Sequence, residues 1–251
     1  MIRLEIPARE GRLLQGLLFE PDTYGNDGKY PLVIFSHGLG ASFKDLIHHG
    51  PGIADGGIAC LFFDFYGGGE LSESGGSMED MSVLTEKEDL LAVLDYALSL
   101  PRTDRSRIFL MGESQGGLVS AMCAMERPSL VRGLILWYPA FSIPETCREL
   151  LQAGPCPREL FGFPLGEKYF KDAASLNVPE ICRGYHGPVF LIHGSGDLLV
   201  PVSWSEKAAL LFSDSALEIL PGAGHDFEGE DSAHARQTTV SFMKKHLQMS
   251  V

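Results

Sequence analysis

The apolar positions of this chain follow two rhythms in turn. Residues 2–7 and 12–20 switch between apolar and polar at almost every step, the period of a strand with one covered face, and Glu10-Gly11 between them predicts an antiparallel pair. After a polar, Gly-containing loop over 22–30, the apolar positions run together in Leu32-Val33-Ile34-Phe35, 58–65, 107–112, 133–138 and 189–193. Continuous runs of this length suit strands covered on both faces, as in a parallel sheet. Between them lie stretches that read as helices, over about 42–55, 82–100, 115–127, 203–212 and 230–247, with a further strand at 216–220. The pattern is sharpest in 82–100. There Leu90, Leu91, Leu94 and Leu98 recur at helical spacing, Thr85 and Glu88 are placed for a capping box, and Pro101 ends the run.

Strands alternating with helices imply an α/β fold, a mainly parallel central sheet with helices on both faces. The alternation lapses over 141–186, which holds Pro144, Pro155, Pro157, Pro164 and Pro179 with Phe161-Gly162-Phe163 among them. That stretch reads as an inserted, partly helical lid within one domain spanning 1–251. In sheets of this kind chemistry gathers at the carboxyl ends of the strands.

Three polar residues follow predicted strands. Ser114 lies in Gly112-Glu113-Ser114-Gln115-Gly116, between an apolar strand and a helix rich in small residues. That is the layout of a nucleophile elbow, a tight strand-to-helix turn where backbones crowd and glycine is favoured. With 29 glycines in the chain the pentapeptide alone says little, so its context decides. Asp197 follows the strand at 189–193, and His225 follows the last strand in Gly222-Ala223-Gly224-His225. A serine hydroxyl is a poor nucleophile unless a base lies within hydrogen-bond reach, histidine titrates in the useful range, and a buried carboxylate fixes its tautomer. The order Ser…Asp…His is that expected of α/β-hydrolases. Asp226 is the competing acid, disfavoured because a side chain adjacent to His225 rarely reaches back to orient it. His193 is expected to support the turn beneath Asp197, and His37 to stabilise its own loop. His48, His49, His186, His234 and His246 read as surface or lid residues. In His37-Gly38-Leu39-Gly40, the Leu39 amide can join that of Gln115 as an oxyanion hole.

Charge narrows the partners. The net charge of −13 argues against nucleic acid, which is bound by Lys and Arg neutralising phosphates, and against anionic lipid surfaces. No apolar run reaches membrane-spanning length, and the first residues lack a signal-peptide core. Five cysteines without metal-ligand spacing point to a reduced, cytoplasmic setting and to no metal or cofactor. Homodimerisation through lid or edge surfaces is compatible with the sequence.

Taken together, these segments resemble the α/β-hydrolase superfamily over nearly the whole chain, and more narrowly the bacterial cinnamoyl (feruloyl) esterases. The similar stretches are His37–Gly40, Phe63-Asp64-Phe65 with the glycine loop behind it, Met81–Asp89, Gly112–Gly117, Tyr138-Pro139-Ala140, Leu191–Gly194 and Gly222–His225. The resemblance implies a serine esterase with Ser114, His225 and Asp197 as triad, Leu39 and Gln115 as oxyanion donors, and a lid over the acyl pocket. It departs at Glu113, where the family usually has His, and at Gly67-Gly68-Gly69, where it usually has Gly-His-Gly. The Glu113 side chain is expected to point away from substrate. Lid residues Phe161, Phe163 and Tyr169 are candidates to line an aryl pocket, and Glu145 to bind a phenolic hydroxyl. The expected substrate is a small aryl or hydroxycinnamoyl ester. Short aliphatic esters and acyl-peptides are the alternatives, the latter ranked lower because no propeller segment is present. A non-catalytic binding module ranks last, since all three triad members are present.

Overall fold

The run Leu32–Phe35 is apolar at consecutive positions because both faces of its strand are covered. Leu32 and Ile34 join one hydrophobic core, while Val33 and Phe35 join a second on the opposite face of the sheet. The computed structural model describes residues 1–25 and 28–247, so positions 26 and 27 of the predicted polar loop lie outside the described residues.

The chain opens with strands β1 (Ile2–Pro7), β2 (Leu13–Phe19) and β3 (Tyr30–Ser36), then short helices α1 (Phe43–Leu46) and α2 (Gly50–Ala54), and β4 (Ala59–Phe63). Helix α3 (Val83–Ser99), β5 (Thr103–Glu113), α4 (Gln115–Glu126) and β6 (Gly133–Trp137) follow. The next stretch holds α5 (Ile143–Ala153), the small hairpin β7 (Glu159–Leu160) and β8 (Phe163–Pro164), α6 (Glu167–Ala174) and α7 (Val178–Gly184). The chain closes with β9 (Val189–Gly194), α8 (Ser203–Ala209), β10 (Ser215–Leu220) and α9 (Gly229–Leu247).

The main sheet has the order β1-β2-β4-β3-β5-β6-β9-β10. β1 pairs antiparallel with β2, and β2 with β4; from β4 onward every neighbour is parallel. Leu90 and Leu94 of α3, Leu118 and Met122 of α4 and Ile181 of α7 pack into the first core. Phe43 of α1, Ile53 of α2, and Ala235 and Met243 of α9 pack into the second. Helices therefore cover both faces, and the ends of β3, β5, β9 and β10 meet along one edge, where parallel sheets of this kind carry their chemistry. The fold is the predicted α/β-hydrolase fold. Among the described residues no helix is long and apolar enough to cross a membrane.

Local departures have local causes. The helix expected over 42–55 is split into α1, a single tighter turn at Ile47–His49, and α2, because Gly50-Pro51-Gly52 interrupts it and Pro51 suits only a helix start. The capping box at α3 is not Thr85 with Glu88. Ser82 is the N-cap: its hydroxyl accepts from the Thr85 amide, and Thr85 Oγ1 accepts from the Ser82 amide at 2.8 Å. The box lies one turn earlier because Ser82, with extended backbone, is the last residue before the helical hydrogen bonds begin. Of the predicted lid, α6 packs on α3 and α5, and α7 packs on α4. Only Ile143 and the β7–β8 hairpin turn toward the carboxyl edge.

Candidate active site

Ser114 occupies the turn between β5 and α4 with φ 51° and ψ −119°, a left-handed conformation that a non-glycine residue adopts at a cost of about 1–3 kcal/mol. The surroundings enforce it. A Cβ on Gly112 would lie 2.1 Å from the Gly116 carbonyl oxygen, and one on Gly116 would lie 2.2 Å from the Ser36 carbonyl oxygen. Only hydrogen fits at either position. The end of β6 closes over the turn: the Ser114 amide donates to the Trp137 carbonyl at 3.0 Å and the Ala140 amide to the Ser114 carbonyl at 2.8 Å. The serine is thus held at the start of α4, whose positive end faces it.

His225, in the loop after β10, brings Nε2 within 3.0 Å of Ser114 Oγ and Nδ1 within 2.6 Å of Asp197 Oδ2. Asp197, after β9, is saturated. Its Oδ1 accepts from the Leu199 and Val200 amides at 2.9 and 2.8 Å, and His193 Nε2 lies 3.1 Å from Oδ2. Burial pushes this carboxyl up, but the hydrogen bonds from His193, His225 and the Val200 amide outweigh it and hold Asp197 well below the ordinary carboxylate range. An ionised Asp197 keeps the Nδ1 proton of His225 in place and leaves Nε2 free to accept the Ser114 proton. His193 is itself fixed by the Ser205 hydroxyl at 2.7 Å and the Val200 carbonyl at 2.9 Å, beneath the Asp197 turn.

The loop after β3 lies against the serine. A Cβ on Gly38 would come 3.3 Å from that of Ser114. The Gly40 amide donates to the Gly68 carbonyl at 2.9 Å and the Ala41 amide to the Gly38 carbonyl at 3.2 Å, which leaves Leu39 at the crest. His37 braces the loop from below. Its Nδ1 meets the Gly38 carbonyl at 2.8 Å, and the Phe65 amide donates to its Nε2 at 3.2 Å. Burial pushes the His37 imidazole below its usual range, in keeping with the neutral form those two bonds require. Gln115 is the first residue of α4, so its amide has no acceptor within the helix.

These groups open into a cavity of about 380 Å³. Trp137, Tyr138, Phe161, Phe163 and Phe227 give it aromatic walls, and Leu39, Ile143, Leu199 and Val200 add aliphatic ones. Among the described residues no group of three or more His, Cys, Asp or Glu side chains could hold a metal.

Of the predicted lid residues, the structure brings Phe161 and Phe163 to the cavity but neither Glu145 nor Tyr169. Glu145 sits on the outer side of α5, paired with Arg148 at 2.7 Å, because the helix places i and i+3 on one face. Tyr169 is fully buried in the first core and points under the serine turn, where its hydroxyl donates to Gln115 Oε1 at 2.6 Å. Two further expectations change. Glu113 does not point away from the cavity but lines it, accepting from the Tyr138 hydroxyl at 2.7 Å. His49 is no surface residue: it is buried, with Nε2 3.6 Å from Glu113 Oε1, because the tight turn before α2 tucks it between Phe35 and Trp137. His225 takes its carboxylate from Asp197 and not from Asp226, which is exposed at the rim with φ 58°.

Tyr138 is the residue that pattern reading passed over. It follows β6 at φ 37°, and its ring packs 4.6 Å from that of His225. The rule that singles out Ser114, a polar group just beyond a parallel strand, would have found it.

Comparison with known proteins accords with this geometry. The structure superposes on Est1E from Butyrivibrio proteoclasticus bound to ferulic acid with a TM-score of 0.84 at 25% identity, covering 98% of this chain and 99% of that one. It also matches the fold of an esterase from Exiguobacterium antarcticum, with a TM-score of 0.72 at 18% identity over 97% of this chain and all of that one. An uncharacterized protein of Mycobacterium tuberculosis, Rv2307c, is 27% identical over 228 residues, which is 88% of this chain and 71% of the relative. The model of the prolyl oligopeptidase family matches residues 49–250, a span that takes in Ser114, Asp197 and His225. With most of its length inside that match, and with the fold just described, the chain belongs to the prolyl oligopeptidase family and is an enzyme of the α/β-hydrolase serine hydrolase type.

Proposed function

We propose that this enzyme hydrolyses small aryl or hydroxycinnamoyl esters through an acyl-enzyme on Ser114. The observation that carries the reading is the continuous hydrogen-bonded row from Asp197 through His225 to Ser114, at 2.6 and 3.0 Å, opening into an aromatic-walled cavity. His225 takes the Ser114 proton as Oγ attacks the ester carbonyl. The Leu39 and Gln115 amides receive the charge that develops on the carbonyl oxygen. His225 then protonates the leaving alcohol, and water repeats the sequence to release the acid.

The aryl preference draws support from Phe161 and Phe163 at the cavity and from the likeness to an esterase that holds ferulic acid. A second reading, hydrolysis of acyl-peptides, draws support from the prolyl oligopeptidase family match.

Initial rates on methyl ferulate, a short-chain p-nitrophenyl ester, a triglyceride and an acyl-peptide separate the two, with Ser114→Ala beside each. The expected order puts methyl ferulate first by kcat/KM, and Ser114→Ala folded but slower by a factor on the order of 10⁶. Faster turnover of the acyl-peptide would replace the ester reading with the second one. Near wild-type rates in Ser114→Ala would remove Ser114 from its role.

A further inference from the structure

The acyl-transfer scheme uses the backbone of Gln115 and says nothing of its side chain, yet that side chain is buried completely and bonded at both ends. Its Oε1 accepts from the Tyr169 hydroxyl at 2.6 Å, and its Nε2 donates to Glu86 Oε2 at 2.7 Å. Tyr169 comes from α6 and Glu86 from the first turn of α3, so the two partners clamp the start of α4 from separate elements. None of the three side chains is solvent-exposed.

The clamp is mounted on rigid supports. The Ser82 hydroxyl, which caps α3, also donates to Asp172 Oδ2 on α6 at 2.6 Å. A Cβ on Gly166, the residue before α6, would lie 2.0 Å from the Glu79 carbonyl oxygen, so α6 begins in backbone contact with the segment leading into α3. Tyr169 packs edge-on against Phe170 within the first core. This part of the predicted lid is therefore a fixed wall behind the serine turn, unlike the β7–β8 hairpin at the cavity mouth.

We propose that Tyr169 and Glu86 are positioning residues for the reaction: by gripping the Gln115 side chain from both sides, they set where its backbone N–H points and hence how well the oxyanion is received. With both atoms of its amide bonded, the Gln115 side chain anchors the first residue of α4 from either side, and a donor aimed at the oxyanion acts only if it is aligned before the charge forms. Burial pushes the Glu86 carboxyl well above its ordinary range, so the neutral acid is the form that accepts from Gln115. A neutral amide would serve the same geometry. The inference rests on the reading of the Gln115 amide as an oxyanion donor.

The test uses the whole chain with p-nitrophenyl acetate as substrate and phenylboronic acid as a tetrahedral mimic, in wild type, Tyr169→Phe, Gln115→Met and Glu86→Leu. The expected result is a kcat lower by roughly 10-fold with KM within about twofold, since misalignment affects the transition state more than the bound ester. Boronate affinity should fall by the same factor as kcat/KM, a change that loss of fold stability alone would not produce in molecules that remain folded. Glu86→Gln, which keeps an acceptor oxygen in place, should recover most of what Glu86→Leu loses. The Tyr169→Phe and Glu86→Leu effects should fall short of additivity when combined, because both act through one side chain. If Gln115→Met fails to fold, Tyr169→Phe decides. Folded Tyr169→Phe with kcat and boronate affinity both within twofold of wild type would overturn the inference. Labelling of Ser114 by a fluorophosphonate in the wild type keeps this outcome separate from failure of the hydrolase reading, in which no labelling would occur at all.

Discussion

The floor and the roof of the cavity are built by different means. The floor is backbone: the turn at Ser114, the loop at Gly38–Gly40 and the ends of β6 and β9 touch through main-chain atoms, with hydrogen bonds of 2.8–3.0 Å tying Ser114 to Trp137 and Ala140. The roof is side chain: Phe161 at the tip of the β7–β8 hairpin is 42% exposed, and Phe163 lies over Gly40, where a Cβ would come within 2.1 Å of its ring. A floor made of backbone admits almost no substitution, while a roof made of side chains can change what it contacts without disturbing the chemistry beneath. Substitutions on the floor should therefore act on kcat, and those on the roof on KM.

After Ser114→Ala, the largest expected break is Asp197→Asn. The neutral amide would favour the wrong tautomer of His225 and should lower kcat by about 10⁴-fold with little change in KM, read by steady-state kinetics. On the roof, Phe163→Ala should raise KM for methyl ferulate by about 10-fold, the equivalent of ~1.5 kcal/mol of lost aromatic contact, and leave kcat within about twofold. A kcat loss as large as that of Asp197→Asn would erase the distinction between floor and roof. Glu145→Gln, on the outer side of α5, should change KM by less than about twofold, because its side chain pairs with Arg148 away from the cavity and is not part of its lining.

A separate effect, on stability and not on rate, concerns what lies under the floor. Asp89 accepts from the Tyr66 amide at 2.9 Å, beside the glycine loop that packs on His37, and burial raises its carboxyl from 3.8 to about 6. Between those values the folded protein holds a proton that the unfolded chain has released. Stability is greatest below about pH 4 from this group and is lost as pH rises toward 6, by up to ~3 kcal/mol. Asp89→Asn should flatten that part of the Tm-versus-pH curve. An unchanged slope would show that Asp89 does not titrate there.

Much of this was legible in the chain itself. Each covered strand announced itself by a continuous apolar run, because burial on both faces leaves no place for polar residues. Ser114, Asp197 and His225 were legible for a related reason: parallel strands place whatever follows them at one edge, so three polar residues after three such strands become neighbours. The positions of Leu39 and Gln115 next to Ser114 followed from the same geometry. The side-chain contacts of 141–186 were not legible in this way. Nothing in the spacing of Glu145 and Tyr169 distinguishes a residue facing the cavity from one facing Arg148 or the core.

What the sequence determined by itself is the order of the elements, the parallel sheet and the crowded glycines at the serine turn, all of them consequences of local backbone limits and of which faces must be dry. The tertiary structure alone decided that Tyr169 grips Gln115 together with Glu86, that Tyr138 stands beside His225 and donates to Glu113, and that His49 is buried. Those contacts join residues tens of positions apart, and their partners are chosen by how the helices pack on the sheet, which no local pattern encodes.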